Sequence, residues 1–222
     1  MKILVHTANL GDFDPVIDHI PQIPPLGDTI DFVRFTNENF PPRLHVMTPR
    51  LQARIPKMFG WQMRPGYDFY IWIDSSCTLL HPESVRWFLE QCRGCHMAVF
   101  KHPDRNTITE EYEFVKTKIE EKNKYLVLRY ENELADEQMA EIRADKAYKD
   151  EMLFASTAFV YANHPKVHAL LKEWWYHTSR YHAIDQLSFP YVIWKSKCTV
   201  RVIPDNYLKT PYLTYTRNKK HG

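Results

Sequence analysis

The chain has 222 residues, of which 44% are hydrophobic and 25% are charged, and its formal net charge at pH 7 is +2. A chain of this length can bury a core as one unit, so we expect a single domain over residues 1–222. Charges of both signs are mixed along the chain, which argues against a protein that coats a polyanion. The short basic tail at residues 217–221 is expected to be a frayed terminus.

Membrane and redox signals are weak in this sequence. No segment is long and apolar enough to span a bilayer. The N-terminal residues Met1–Thr7 are typical of a first strand and not of a signal peptide, because the apolar run is short. We therefore expect a cytoplasmic protein of a bacterial or viral host cell. The cysteines are not spaced as a zinc site and are expected to be reduced thiols.

The predicted elements begin with an alternation of strands and helices. Strands are predicted at 2–6, 29–35, 44–47, 69–73, 97–100, 153–161 and 199–203. Helices are predicted at 49–60, 82–91, 108–124, 131–149, 165–180 and 184–195. The proline-rich segment 14–28 and the residues after 203 are expected to be loops. This order predicts an α/β fold with one central mixed, mainly parallel sheet and helices on both faces.

A short apolar strand that ends in Asp74, Ser75 and Ser76 is the most informative feature of the chain. Open α/β sheets bind ligands at the carboxyl ends of their strands. A carboxylate with nearby hydroxyls can hold Mn²⁺ or Mg²⁺ against a phosphate, since such cations prefer oxygen ligands. The alternative interpretation is a buried strand that ends in an ordinary cap. The strand and Asp74 resemble the Asp-X-Asp region of GT-A-type glycosyltransferases, with Ser76 in place of the second aspartate.

The order of several further segments extends this resemblance. They are Thr7–Asp14, Asp31 with Phe35–Thr36, Lys101–Arg105, Glu110–Glu111 and Asp185–Phe189. In these segments the chain is similar to a glycosyltransferase-like domain family known from plant cell-wall and mucilage-related proteins. The resemblance implies a GT-A-like, Rossmann-like domain. It also implies a hexosyl- or pentosyltransferase that uses a nucleoside-diphosphate sugar, with UDP-sugars as the first candidates.

The resemblance also implies roles at the donor. The residues concerned are Thr7, Ala8 and Asn9 around the base and ribose, Thr36 near the base, Arg54 and Lys57 at the pyrophosphate, and Asp74 and Ser76 at a metal. Fixed cations would stabilise the charge that develops on a diphosphate leaving group. The alternative for Arg54 and Lys57 is the solvated face of a helix.

Four further residues are candidates for the reacting centre and the acceptor. Asp185, followed by Gln186, would supply an acid near the anomeric carbon, although an aspartate here is also a good helix cap. His102 is a candidate proton acceptor and Arg105 a candidate ligand for a phosphate or acceptor oxygen; the alternative is a polar loop. Glu110, Glu111 and Glu113 are candidates for acting on the acceptor, but the charged face of a surface helix explains them equally well. His164, His168, His177 and His182 are expected on the surface.

The sequence thus predicts a glycosyltransferase that moves a sugar from a nucleoside-diphosphate sugar to an acceptor hydroxyl, with a divalent cation assisting. The acceptor would be a glycan or, with less support from the charge balance, modified DNA. Two alternatives remain open at this stage. One is a non-catalytic module that binds a nucleotide or carbohydrate, and the other is a viral transferase that decorates DNA bases.

Overall fold

A computed structural model describes residues 1–11, 14–43 and 45–215 of the chain. Eight strands are present in the described part: β1 (Lys2–Asn9), β2 (Thr29–Thr36), β3 (Phe69–Ile73), β4 (Cys77–Leu79), β5 (Met97–Lys101), β6 (Phe154–Ala162), β7 (Val200–Ile203) and β8 (Leu213–Tyr215). Six of them form one sheet in the order β2-β1-β3-β6-β5-β7, while β4 and β8 pair in a separate antiparallel ribbon.

The sheet is mixed, as predicted. Strand β1 is parallel to both β2 and β3, and β7 is parallel to β5. Strand β6 lies antiparallel between β3 and β5. The carboxyl ends of β1, β2, β3 and β5 therefore meet the beginning of β6 along one edge of the sheet, here called the carboxyl edge.

Helices cover both faces of this sheet. They are α1 (Pro49–Met63), α2 (Ser84–Gln91), α3 (Ile108–Glu120), α4 (Lys124–Tyr130), α5 (Ala135–Ala144), α6 (Pro165–Arg180) and α7 (Phe189–Ser196). Side chains of α1, α6 and α7 pack on one face, and α2 packs with the β4–β8 ribbon on the other. This arrangement confirms the predicted α/β class. No helix in the described ranges is long and apolar enough to cross a membrane.

Local sequence signals explain where the main helices begin. The hydroxyl of Thr48 accepts a hydrogen bond from Leu51 N at the start of α1, where Pro49 occupies the first turn. Thr107 caps α3 in the same way through Glu110 N. Helix α6 has the predicted bounds, with a proline in its first turn and an apolar face that packs on the sheet.

The predicted strand at 44–47 is wrong. Residues 45–47 form a turn in which the amides of Val46 and Met47 both donate to the carbonyl of Arg43. Leu44 lies outside the described residues. A short apolar run between prolines finds no neighbouring strand here, so its backbone groups pair locally.

Two predicted helices and the predicted C-terminal loop also need correction. The helix predicted at 108–124 ends at Glu120, because Lys122 adopts a left-handed conformation with φ 59° and Asn123 caps α4. Of the helix predicted at 131–149, only Ala135–Ala144 (α5) is helical. The segment after 203 contains β8, whose pairing with β4 joins residues far apart in sequence. The basic tail at 217–221 lies outside the described residues.

Candidate functional site

Four charged side chains converge at the carboxyl edge of the sheet. Lys57 Nζ lies 2.7 Å from Asp185 Oδ2 and 3.4 Å from Asp74 Oδ1. Arg54 Nε lies 3.3 Å from the same Asp185 oxygen. These residues come from α1, the end of β3 and the loop after α6, and the fold brings them together.

Asp74 stands at the mouth of this cluster. Its carboxylate accepts a hydrogen bond of 2.7 Å from the indole of Trp72 and keeps 29% of its side-chain surface exposed. Its amide donates to Thr157 O on β6, and its carbonyl accepts from Cys77 N, which closes a turn through Ser75 and Ser76. The backbone groups make the turn, so the carboxylate remains available at the edge.

Asp185 is buried and held on both oxygens. Ser156 Oγ on β6 donates to Oδ1 at 2.7 Å, while Lys57 and Arg54 contact Oδ2. Burial by itself would raise the pKa of Asp185, but Arg54 and Lys57 outweigh it, and the net pKa lies below the ordinary value. The carboxylate does not cap a helix. Asp185 is the first residue of a 3-10 turn (Asp185–Leu187), and its backbone carbonyl accepts a hydrogen bond from Trp174 Nε1.

The two cations of α1 do not lie on a solvated helix face. Lys57 is fully buried and its ammonium lies 5.6 Å from the ring centres of both Trp72 and Trp174. The Arg54 side chain is 16% exposed. An ammonium buried this deeply needs both carboxylates and the two aromatic faces to offset its lost hydration.

A groove lies on the sheet face opposite α1. Its larger part has a volume of about 440 Å³ and is lined by β1, β2 and the loop that follows β1, including Thr7, His19, Phe32 and Arg34. A narrower continuation reaches Asn9 and Ser75. The hydroxyl of Thr7 is buried and has no hydrogen-bond partner among the residues that the structure describes. The groove therefore offers an unpaired polar group within a partly apolar lining.

The other residues predicted around the base take different positions. Asn9 uses both ends of its amide to hold the backbone of Asp14. Ala8 packs in the core on the α1 face. The Thr36 hydroxyl accepts from Glu38 N in the turn after β2. Of the four residues predicted at the base, Thr7 and Asn9 line the groove.

A second polar cluster is centred on Glu111 of α3, which is 3% exposed. Glu111 forms an ion pair with Arg105 and accepts a hydrogen bond of 2.6 Å from Gln186 Nε2. The amide of Arg105 donates to His102 Nδ1, and burial lowers the pKa of His102. The predicted acceptor residues are thus joined to the Asp185 loop through a glutamate.

A family model matches residues 43–221 and describes them as a TOD1/MUCI70 glycosyltransferase-like domain. The chain belongs to the TOD1/MUCI70 glycosyltransferase-like domain family. The match includes Arg54, Lys57, Asp74 and Asp185, and it confirms the resemblance seen in the sequence. No curated protein matches this chain.

Solved structures similar to this member of the TOD1/MUCI70 family include one described as the crystal structure of A197 from STIV. The two chains are 7% identical, and the match covers 98% of this chain and 95% of that one with a TM-score of 0.36.

Sequence reasoning missed two residues that hold the site together. Ser156 carries no local signal, because it meets Asp185 only through the pairing of β6 with β3. Glu111 was named with Glu110 and Glu113 as a candidate for acting on the acceptor, with the charged face of a surface helix as an equal alternative, and its contacts with Arg105 and Gln186 were not predicted. The burial of neighbouring Ile108, Tyr112 and Val115 shows that one face of α3 is turned inward, and Glu111 lies beside it.

Within the described part of the chain, few side-chain oxygens are free to bind the Mn²⁺ or Mg²⁺ that was predicted at Asp74 and Ser76. One oxygen of Asp74 and both oxygens of Asp185 already have partners, and the nearby Asp14 carboxylate accepts from Ser75. Ser76 adds a neutral hydroxyl. The described residues include no group of three or more His, Cys, Asp or Glu that could hold a metal. The residues present therefore do not fit a divalent cation.

Proposed function

We propose that this protein transfers a hexose or pentose from a nucleoside-diphosphate sugar to an acceptor hydroxyl. The family supports a glycosyltransferase-type function in general terms. The donor, the acceptor and the assignment of residues to them are the proposal. The observation that carries it is the meeting of Arg54, Lys57, Asp74 and Asp185 at the carboxyl edge, together with a groove on the other face of the sheet that contains Thr7 and reaches Ser75.

The groove and the charged cluster match the two halves of a nucleotide. The groove has the volume and partly apolar lining of a small-molecule site, and the unpaired Thr7 hydroxyl offers a hydrogen bond to a base or ribose. The narrow continuation is lined by Asn9 and by Ser75, the residue that follows Asp74 in the chain. A nucleoside bound in the groove would direct its diphosphate to the four charged residues.

The chemistry proposed for the cluster is electrostatic. The bond from the anomeric carbon to the diphosphate oxygen breaks, and negative charge grows on the departing phosphate. Arg54 and Lys57 are held in place by Asp185, so their positive charges need little reorganisation as the diphosphate leaves. Asp185 in turn places a carboxylate near the positive charge that develops on the sugar. Asp74 stands at the opening, where the donor enters.

The acceptor is proposed to approach from the side of Glu111. His102 and Arg105 follow β5, and Gln186 directly follows Asp185, so the Glu111 contacts connect them to the charged cluster. Arg105 and Gln186 carry N–H groups suited to the hydroxyl oxygens of a glycan. The acceptor hydroxyl would attack the anomeric carbon as the bond to the diphosphate oxygen breaks, and its proton would pass to His102, the candidate proton acceptor.

Thermal denaturation in the presence of a panel of nucleotide sugars tests the donor, because a ligand that binds the folded state raises its apparent stability. Release of free nucleoside diphosphate from the donor so identified then measures turnover. We expect Asp74→Asn, which keeps an oxygen for the Trp72 indole, to lower turnover at least about tenfold. Asp68→Asn is the matched control, since Asp68 precedes the same strand at the opposite edge of the sheet and is exposed.

Three results would contradict the proposal in different ways. If no nucleotide sugar in the panel raised the thermal stability of the protein, the proposed donor site would be wrong. Binding without release of diphosphate, with every acceptor offered, would make the protein a binding module on the same fold. Affinity for duplex DNA that falls steeply with salt would instead favour a transferase that acts on DNA bases.

A further inference from the structure

The ammonium of Lys57 lies between the two carboxylates of the charged cluster. It is 2.7 Å from one Asp185 oxygen and 3.4 Å from one Asp74 oxygen, and its side chain is fully buried. A cation that bridged these two carboxylates would have to take the same position. Lys57 is a residue of α1, so its ammonium cannot leave this position as a free ion can, and it lies between two tryptophan rings.

The charges of the cluster are balanced without any added ion. Asp74 and Asp185 carry two negative charges, and Arg54 and Lys57 carry two positive charges. Hard divalent cations are held by negatively charged oxygen ligands, and affinity depends on how many such charges the site offers. Here the carboxylates are already neutralised at hydrogen-bond distance, and a second cation beside the Lys57 ammonium would be repelled.

We propose that Lys57 is the built-in cation of this site and that it keeps divalent metal ions out of the free protein. The substitution of serine for the second aspartate at position 76 agrees with this role, because a site served by a fixed ammonium does not need a second carboxylate. The inference rests on the proposed function for its meaning, since it makes Lys57, with Arg54, a fixed positive charge of the proposed diphosphate site. Its test uses the metal alone and needs no donor.

Titration calorimetry of the full chain with MnCl₂ provides the test. We expect no binding with a dissociation constant below about 1 mM for the unmodified protein, the range of weak sites. Lys57→Ala removes the ammonium and leaves room for a hydrated ion. This variant should gain a Mn²⁺ site whose dissociation constant is at least about tenfold below that limit. Lys57→Arg retains the charge and should show no gain. Adding Asp74→Asn to Lys57→Ala should abolish the gained site.

The outcomes separate this inference from the proposed function. Tight Mn²⁺ binding by the unmodified protein that Asp74→Asn abolishes would overturn the inference and leave the transferase proposal standing. Lys57→Gln, which keeps the side-chain length, serves as a second neutral variant if the alanine variant does not fold. Failure of a folded neutral variant to gain Mn²⁺ binding would also overturn the inference. A failed donor screen together with the expected Mn²⁺ results would remove the proposed function alone.

Discussion

Glu111 is the residue whose substitution separates the acceptor cluster from the charged cluster most directly. Glu111→Gln replaces one carboxylate oxygen by an amide that donates, so either Arg105 or Gln186 loses its acceptor. We expect the free energy of unfolding to fall by about 1–3 kcal/mol, because a buried charged partner is left unsatisfied. Turnover should fall at least about tenfold, since Arg105 and Gln186 lose their common anchor.

The control for this substitution is Glu113→Gln on the exposed face of the same helix. Glu113 lies 3.9 Å from Arg143, and both side chains are more than half exposed. Exposed pairs of this kind contribute little, so stability should change by less than about 0.5 kcal/mol. Urea denaturation and diphosphate release measure both variants. Equal behaviour of the two would show that Glu111 does not hold the cluster.

Some of the site could be predicted from the sequence and some could not. Asp74 directly follows a recognisable strand, which predicts a place at the carboxyl edge of the sheet, while the roles of Lys57 and Asp185 were expected from the family resemblance. The partners of Asp185 and Gln186 come from residues 29 and 75 positions away, and no local pattern marks Ser156 or Glu111 as those partners. Their roles depend on how β6 and α3 pack, which is decided by the whole core.

At the scale of elements, the approach of α1 to the sheet depends on Gly60. A Cβ atom at this position would lie 2.5 Å from Nε2 of His6 on β1. The His6 ring is fully buried among the rings of Tyr70, Trp72 and Tyr161 and has no open space to move into. Helix α1 is kinked at Phe59, so this contact holds the part of α1 after the kink against β1.

Gly60→Ala should therefore destabilise the protein. The added methyl group overpacks the contact at a cost of about 1–3 kcal/mol, against a gain of up to about 1 kcal/mol in helix propensity. Gln62→Ala, on an exposed position of the same helix, should change stability by less than about 0.5 kcal/mol. Urea denaturation compares the two variants. A Gly60→Ala protein as stable as the unmodified one would mean that α1 can lift from β1 without cost.

The elements that sequence patterns located well are those with their own end signals. Helix α6 has Pro165 in its first turn and an apolar stripe, and its bounds were predicted correctly. The break between α3 and α4 was missed because a left-handed lysine at 122 has no sequence signature. Strand β8 was missed because its three residues pair with β4, which is far away in the sequence. Short elements of this kind depend on partners that local patterns do not contain.

At the scale of the whole molecule, buried neutral histidines make folding sensitive to acid. Burial lowers the pKa of His6 to about 3, and burial together with Arg50 lowers the pKa of His182 to about 3. The expectation that His177 and His182 lie on the surface is wrong, since both are buried. The unfolded chain binds protons near pH 6.5 and the folded chain does not, so stability falls as pH drops below 6.5.

Each of these two histidines should contribute a slope of up to about 1.4 kcal/mol per pH unit between pH 6.5 and about 3, with its full contribution to stability present above pH 6.5. Urea denaturation at pH 7.5, 6.0 and 5.0 measures the slope. His6→Leu replaces the titrating ring by an apolar side chain of similar size, so its stability curve should be flatter by up to about 1.4 kcal/mol per pH unit. This comparison does not depend on the absolute stability of the variant. A slope that His6→Leu leaves unchanged would mean that the folded protein admits a proton at His6, and the close packing of α1 against β1 would then be wrong.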